Sequence, residues 1–190
     1  MALDMSIRIG GQAGQGVQAV SYALGKVFTR HGYYVLIHQD LESRIRGGHN
    51  YAQIRIQDSP VLSIKDRPDV LIALDERTMD QDLPDLAEDG VLVFDGESTG
   101  RPAKNPNHLS VPLERLANEA GGGKIMANSV ATGAALAAIG IEIEPIHPQI
   151  KLLARGRSRQ PGPGAADPAL VQGHIQPLEI EPVLRPLPAG

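Results

Sequence analysis

The chain has 190 residues and a formal net charge of −4, and apolar residues make up 42% of it. This length fits one domain of ordinary size plus an appendage. The negative charge argues against a protein that binds nucleic acid by bulk electrostatics. The sequence has no apolar run long enough for a transmembrane helix, and its first residues lack the pattern of a signal peptide. We therefore expect a cytoplasmic protein that binds neither nucleic acid nor membrane.

The sequence contains no cysteine, which excludes disulfides, thiolate nucleophiles and cysteine-ligated metal clusters. If the protein works in electron transfer, its redox centres must therefore lie on another chain. The six histidines are not spaced with other ligands as in a metal site. Because aromatic residues make up only 3%, the core must consist of Val, Ile, Leu and Ala, which suits buried parallel strands covered by helices.

The first part of the chain has the pattern of a strand, a glycine loop, a helix and a second strand. A short alternating run at 6–9 is followed by the glycine-rich segment 10–16. Apolar residues with helical spacing begin at Val17, and Gly32 is a plausible end of that helix. Residues 33–37 have the composition of the second strand. This order is typical of the units that build parallel sheets.

The middle of the chain predicts further strands and helices. Residues 51–56 and 61–64 predict a hairpin with Pro60 in its turn. Continuous apolar runs predict buried strands, and helical patterns follow them; the strands are expected at 69–75, 90–95 and 108–111, and the helices at 76–82, at 113–120 and within 121–140. The predicted fold class is therefore α/β, a Rossmann-like, mainly parallel sheet with flanking helices and an added β-hairpin.

The composition changes near Glu144. Nine of the 15 prolines lie in residues 145–190, where no helical or strand period is visible. We predict a domain over residues 1–143, followed by a proline-rich tail or linker over 144–190. The tail is expected to be either an extended arm on a neighbouring surface or disordered.

The loop between the first strand and the first helix contains Gly11, Gly14 and Gly16, which are spaced G-x-x-G-x-G. Glycines permit positive φ angles and close backbone approach, and a helix N-terminus offers free N–H groups, so a phosphate is the expected ligand. The spacing G-x-x-G-x-G differs from the dinucleotide fingerprint G-x-G-x-x-G, and the lysine of a P-loop is absent. The alternative is a tight turn that binds nothing.

A second candidate site is the stretch ESRIRGGHNYAQIRI at 42–56. Arg44 and Arg46 alternate along an extended segment, and arginine suits bidentate binding of carboxylate or phosphate. Gly47-Gly48 allows close backbone approach, while His49 and Asn50 could bind a ligand or cap the turn. The alternative is a charged surface loop.

Three motifs together resemble one enzyme family. RIGGQAGQGV near the start, ESRIRGGHNYAQIRI after the second strand and PDVLIALDERTMD after the predicted hairpin occur in the order found in the γ domain of 2-oxoacid:ferredoxin oxidoreductases. MANSVATGAALAAIG resembles the closing helix of that domain. The resemblance covers roughly residues 5–142, and pyruvate, 2-oxoglutarate and branched-chain types all remain open.

The resemblance implies an accessory subunit of a larger enzyme. Such a complex decarboxylates a 2-oxoacid on thiamine diphosphate with Mg²⁺, passes electrons through [4Fe–4S] clusters to ferredoxin and forms acyl-coenzyme A. The partners implied are the α and β subunits and, through them, ferredoxin. This chain would hold no catalytic residue, no metal and no cofactor alone. The resemblance makes eight residues candidates for coenzyme A binding or for packing at the interface: Gly11, Gly14, Gln15, Gly16, Arg46, Gly47, Gly48 and Asn50.

Two other functions fit the same residues. One is a stand-alone Rossmann-like module that binds a dinucleotide, against which the glycine spacing counts. The other is a purely structural assembly protein whose glycine loop binds nothing.

Overall fold

The computed structural model describes residues 3–42, 48–120 and 126–140. The predicted boundary at residue 143, the tail 144–190 and two candidate site residues, Arg46 and Gly47, lie outside these ranges. The fold that follows is that of the described residues.

The described chain forms one six-stranded sheet with helices on both faces. The strands are β1 (Asp4–Gln12), β2 (Tyr34–Asp40), β3 (His49–Gln57), β4 (Val70–Ala73), β5 (Val91–Phe94) and β6 (His108–Ser110). The helices are α1 (Val17–Arg30), α2 (Glu76–Asp82), α3 (Gly96–Thr99), α4 (Leu113–Glu119) and α5 (Ala127–Ala138), with a 3₁₀ turn at Leu83–Asp85. The predicted α/β class with flanking helices is confirmed.

The sheet is parallel on one side and antiparallel on the other. Its strand order is β2-β3-β1-β4-β5-β6. The neighbouring strands β1, β4, β5 and β6 are parallel to one another. β3 runs antiparallel to both β1 and β2. The short parallel strands β4 and β5 are buried along their whole length, as their continuous apolar sequences predicted.

The predicted hairpin of residues 51–56 with 61–64 is wrong. β3 pairs with β2 instead, and residues 61–64 form no strand. The reason is that β1 and β2 occupy both edges of β3, so neither edge can accept 61–64. Side chains of β3 hold the following segment instead, since the Arg55 guanidinium donates to the Ser63 carbonyl and the Gln53 amide donates to the Lys65 carbonyl.

One face of the sheet carries the main aliphatic core. Alternate residues of β1 and β3, such as Ile7, Ile9 and Ile54, pack there against α1, α4 and α5. Helix α5 consists mainly of small residues and is buried on nearly every side. Its small side chains allow this close packing.

The opposite face is divided. Over β4 and β5 it is apolar, where Leu71, Leu92 and Phe94 pack against Met79 of α2. Over β1 and β3 it is polar, and the buried side chains there include Arg8 and Gln53.

The carboxyl ends of the parallel strands position the candidate site. β1 leads into α1 on the aliphatic face, whereas its neighbour β4 leads into α2 on the other face. Such a reversal opens a crevice at the carboxyl edge, where ligands of α/β sheets bind. β3 runs antiparallel, so its first residues, His49 and Asn50, lie at this edge as well.

Candidate functional site

The two predicted site segments meet at the carboxyl edge of β1. In the register of β1 and β3, Gly11 lies opposite Asn50 and Gln12 lies opposite His49. A cleft of about 370 Å³ opens between the two segments, and we call it the polar cleft. It is lined by Gln12, Ala13, Gly14, Gly16, Val17, Gln18, Leu41, Glu42 and Asn50.

The glycine loop takes a conformation that requires glycine. Gly14 and Gly16 have φ angles of 101° and 85°, in the left-handed region that other residues rarely adopt. Gly16 is the N-cap residue of α1 and its carbonyl accepts from the Val20 N–H at 3.1 Å. The pattern G-x-G at 14–16 is thus the turn that starts the helix.

The Gln15 side chain stabilises the glycine loop by two hydrogen bonds to the backbone. Its Oε1 accepts from the Gln12 N–H at 2.6 Å, and its Nε2 donates to the Leu74 carbonyl at 3.2 Å. A Cβ on Gly11 would come within 2.6 Å of that Oε1, so Gly11 provides the space in which the Gln15 side chain lies. In this structure both residues shape the loop, and their contact with a ligand remains a prediction.

The N-terminus of α1 faces the polar cleft without a side-chain cap. No acidic residue lies in the first turn of this 14-residue helix. Its first N–H groups and the partial positive charge of the helix end therefore favour an anion. The Glu42 carboxylate also lines the cleft. One of its oxygens, Oε2, is occupied by the hydrogen bond that it accepts from the His49 N–H at 3.0 Å.

Asn50 and Gly48 hold the second segment at the cleft. The Asn50 Oδ1 accepts from the Glu42 N–H at 2.6 Å. Gly48 is buried beside Glu42, whose Oε2 would lie 2.8 Å from a Cβ at that position. The structure therefore brings Gly14, Gly16 and Asn50 together at one cleft, with Gly48 directly behind.

An apolar cleft of about 250 Å³ lies on the other side of the glycine loop. Leu74, Leu113 and Ala127 form apolar parts of its wall. Asp95 is buried here and caps two helices, since its Oδ1 accepts from Ser98 N–H at 3.0 Å and its Oδ2 from Glu114 N–H at 2.9 Å. The sequence FDGES at 94–98 therefore forms a helix-capping turn.

Sequence reasoning missed Asn128. Its Nδ2 donates to the Gln15 carbonyl at 2.8 Å, so the first turn of α5 supports the glycine loop. The available signal was a single amide side chain at the start of a helix of small residues. Its partner lies 113 positions earlier in the chain, and no local pattern connects the two.

His38 of β2 and His49 of β3 both contact other side chains. His38 is exposed, and its ring centroid lies 6.1 Å from that of Tyr51. His49 is buried and bonds to Asp82. Over the ranges the structure covers, no group of three or more His, Cys, Asp or Glu residues could hold a metal ion. In those same ranges, no helix combines the length and apolar character needed to cross a membrane.

Comparison with known proteins gives a consistent family. The model of the pyruvate ferredoxin/flavodoxin oxidoreductase family matches residues 6–160. The 2-oxoglutarate synthase subunit KorC of Methanothermobacter thermautotrophicus is 31% identical over 144 residues, which are 71% of this chain and 76% of KorC.

Solved structures agree in fold. The γ subunit of a keto/oxoacid ferredoxin oxidoreductase from Geobacter sulfurreducens is 25% identical, with a TM-score of 0.68 over 82% of this chain and 92% of that chain. The 2-oxoglutarate:ferredoxin oxidoreductase of Magnetococcus marinus, solved with 2-oxoglutarate, coenzyme A and succinyl-CoA bound, has a TM-score of 0.69 at 20% identity and supports the fold alone.

Some relatives are much longer than this chain. It covers 33% of the Magnetococcus chain and 18% of subunit alpha of 2-oxoacid:ferredoxin oxidoreductase 2 from Aeropyrum pernix, which is 28% identical over 113 residues. The resemblance carried by the three sequence motifs is confirmed by the family match. The chain belongs to the pyruvate ferredoxin/flavodoxin oxidoreductase family.

Proposed function

We propose that this chain is the γ subunit of a thiamine-diphosphate-dependent 2-oxoacid:ferredoxin oxidoreductase. In the proposed reaction a 2-oxoacid loses CO₂, its acyl group passes to the thiol of coenzyme A, and the electrons released reduce ferredoxin. The observation that carries the proposal is the extent of the structural match, which includes 92% of the G. sulfurreducens γ subunit.

The composition supports a division of labour among subunits. Without cysteine, the chain has no thiolates for [4Fe–4S] clusters, so α and β subunits would supply them. We propose that the same partners hold thiamine diphosphate and its Mg²⁺ and pass electrons to ferredoxin. The proposed role of this chain is to bind and orient rather than to catalyse.

The polar cleft is the proposed coenzyme A contact. Phosphate groups suit the uncapped N-terminus of α1 and the glycine loop that precedes it. Gly11, Gly14, Gln15 and Gly16 would shape this cradle from one side, and Arg46, Gly47, Gly48 and Asn50 would approach from the other. Arg46 is the cation proposed for a phosphate or carboxylate of the ligand.

Reconstitution tests the proposal directly. The chain is co-expressed with its neighbouring cysteine-rich and thiamine-binding subunits, and coenzyme A-dependent reduction of a viologen dye is measured with 2-oxoglutarate, pyruvate and a branched-chain 2-oxoacid. We expect the rate to require this chain. A full rate in its absence would exclude the function.

A matched pair of glycine variants tests the site. Gly16 and Gly32 both have φ of 85° and lie at opposite ends of α1. Alanine at either position forces the same strained conformation, which costs roughly 1–2 kcal/mol. We expect similar losses of thermal stability, but only Gly16→Ala should raise the KM for coenzyme A. An equal KM in both variants would remove the polar cleft from the proposal.

The two alternative functions give different results. For a structural assembly protein, Arg46→Ala would weaken subunit association and leave the KM for coenzyme A unchanged. For a stand-alone dinucleotide module, calorimetry would detect binding of NAD(H), NADP(H) or a flavin to this chain alone. We expect neither result.

The proposal extends to domain limits and location. We place the γ-type domain at residues 1–143 and, at 144–190, a proline-rich tail or linker that is either an extended arm or disordered, in a protein that acts in the cytoplasm. The family match continues to residue 160, so limited proteolysis should be analysed for the first stable fragment that ends between 143 and 160.

A further inference from the structure

Glu42 is hydrogen-bonded to both His49 and Asn50 beside the polar cleft. The Glu42 N–H donates to the Asn50 side chain, and the Glu42 carboxylate accepts from the His49 N–H, at 2.6 Å and 3.0 Å. These two bonds clamp residue 42 to residues 49–50 beside the polar cleft.

His49 connects this clamp to α2. Its side chain is buried, and its Nε2 lies 2.9 Å from the Asp82 Oδ2. Since a carboxylate only accepts, the imidazole carries its proton on Nε2 and donates it to Asp82. The Nδ1 atom is buried and finds no partner within the described structure. The ring is also stacked on Tyr51, with centroids 6.2 Å apart.

Asp82 in turn is tied to the centre of the sheet. Its Oδ1 lies 3.4 Å from Nη1 of Arg8 on β1. The Arg8 Nε and Nη2 donate to the Gln53 Oε1 at 3.0 Å and 2.9 Å. The guanidinium also lies 5.0 Å above the centre of the Tyr51 ring. Contacts thus run without interruption from the clamp through His49 and Asp82 to Arg8.

Stability alone does not account for this cluster. Burying charges is costly, and apolar residues of similar volume are often at least as stabilising. On the same face, the neighbouring strands β4 and β5 are covered by apolar residues. Apolar packing is therefore compatible with this face of the sheet. Directional hydrogen bonds differ from apolar packing because they fix one orientation of each partner.

We propose that His49 is a positioning residue, held by Asp82 and through it by Arg8, that fixes the clamp of Glu42, His49 and Asn50 at the edge of the polar cleft. It acts through this clamp and touches no ligand. The inference rests on the proposed function only for the identity of the ligand as coenzyme A.

Variants of His49 separate positioning from general stability. His49→Leu removes the donor to Asp82, whereas His49→Gln offers an amide N–H at a similar reach. Arg55→Gln is the matched control. Arg55 lies on the same strand and face as His49 but away from the clamp, and the change breaks its side-chain pair with Asp4 of β1. Thermal unfolding of the full chain verifies that each variant folds.

Amide hydrogen exchange is the first measurement and needs no partner subunit. Loss of a hydrogen bond to a charged group should accelerate exchange of residues 42–50 about tenfold or more in His49→Leu. His49→Gln and Arg55→Gln should exchange as the wild type does in this segment. Unchanged exchange in His49→Leu would overturn the inference.

Kinetics of the reconstituted complex provide the second measurement. His49→Leu should raise the KM for coenzyme A about tenfold with little change in kcat, and His49→Gln should restore it. An equal KM in the Leu variant and the wild type would also overturn the inference. If no combination of subunits shows coenzyme A-dependent activity, the proposed function fails, while the exchange result still decides the positioning role.

A milder variant covers the case in which His49→Leu does not fold. Asp82→Asn keeps the shape of the side chain but leaves one acceptor oxygen for His49 and Arg8 together. It should accelerate exchange of residues 42–50 by about threefold, a smaller effect because one hydrogen bond can still form. Exchange equal to that of the wild type would count against the inference.

Discussion

The two faces of the sheet show how one fold combines stability with orientation. On one face, residues such as Ile7 and Ile54 contact α1, α4 and α5 through aliphatic packing, which has no preferred direction. On the other face, over the same two strands, Arg8 forms directed hydrogen bonds with Gln53. Arg8 also contacts Asp82, which is bonded to His49 of the clamp. The aliphatic face should therefore contribute most of the stability, and the polar half should fix the geometry of the site edge.

The largest expected effect is on the aliphatic face. Ile54 is fully buried in the centre of the core, and Ile54→Ala removes apolar contacts and leaves a cavity, so we expect a loss of about 4 kcal/mol. Urea unfolding measures it. Leu62→Ala is the control, because Leu62 is 92% exposed. A smaller loss for Ile54→Ala than for Arg8→Met would reverse our assignment of stability to this face.

The next effect concerns the polar half. Arg8→Met leaves the buried Asp82 carboxylate without its cation, which should cost about 3 kcal/mol. Arg55→Met breaks the more exposed pair with Asp4 on the same face and should cost less than about 1 kcal/mol. Urea unfolding of both variants tests the contrast, and equal costs would mean that burial does not distinguish the two pairs.

A smaller effect concerns the close approach of α2 to β1. A Cβ at Gly10 would meet the methyl group of Thr78 and lie 2.8 Å from the Asp82 Oδ2. Gly10→Ala should therefore push α2 outward, at a cost of about 2 kcal/mol. Adding Thr78→Ser removes the methyl group and should recover part of the loss in the thermal midpoint. If the effects of the two substitutions on the thermal midpoint are simply additive, the Gly10 Cβ and the Thr78 methyl group do not collide and the prediction is wrong.

The smallest effect is a pH dependence at the β6 end of the second face. Burial, assisted by Lys104, lowers the pKa of His108 below its usual 6.5. The unfolded chain therefore binds a proton on His108 more tightly than the folded chain does. Above about pH 6.5 His108 is neutral in both states, and the free energy of unfolding declines as the pH falls from there toward the folded-state pKa.

Two variants test this pH dependence. His108→Gln should flatten the decline in the urea midpoint between about pH 7 and pH 5. Lys104→Gln should retain most of it, because burial is the larger cause. An unchanged slope in His108→Gln would show that other groups produce the decline.

Local patterns predicted several elements directly. The apolar runs of β4 and β5 are buried throughout and lie where their sequences placed them, and so does the helix at 76–82. Long-range pairing was less accessible. The alternation at 51–56 specified a strand but not its partners, and the choice of β1 and β2 over 61–64 depends on which edges are occupied.

The candidate site divides in the same way. The glycine spacing at 14–16 and the RGGHN motif were visible in sequence, since each needs particular residues at adjacent positions. Their supports were not visible. Asn128 reaches the glycine loop from the last helix, and Asp82 reaches His49 from α2.

The family, the α/β class and the places of close backbone approach could be identified from the amino-acid sequence. Those features depend on residue type and on spacing within a few turns or one strand. The position of β3 between β1 and β2, in contrast, is set by tertiary contacts. That placement brings His49 and Asn50 beside the glycine loop, because an antiparallel strand starts at the edge where its parallel neighbours end.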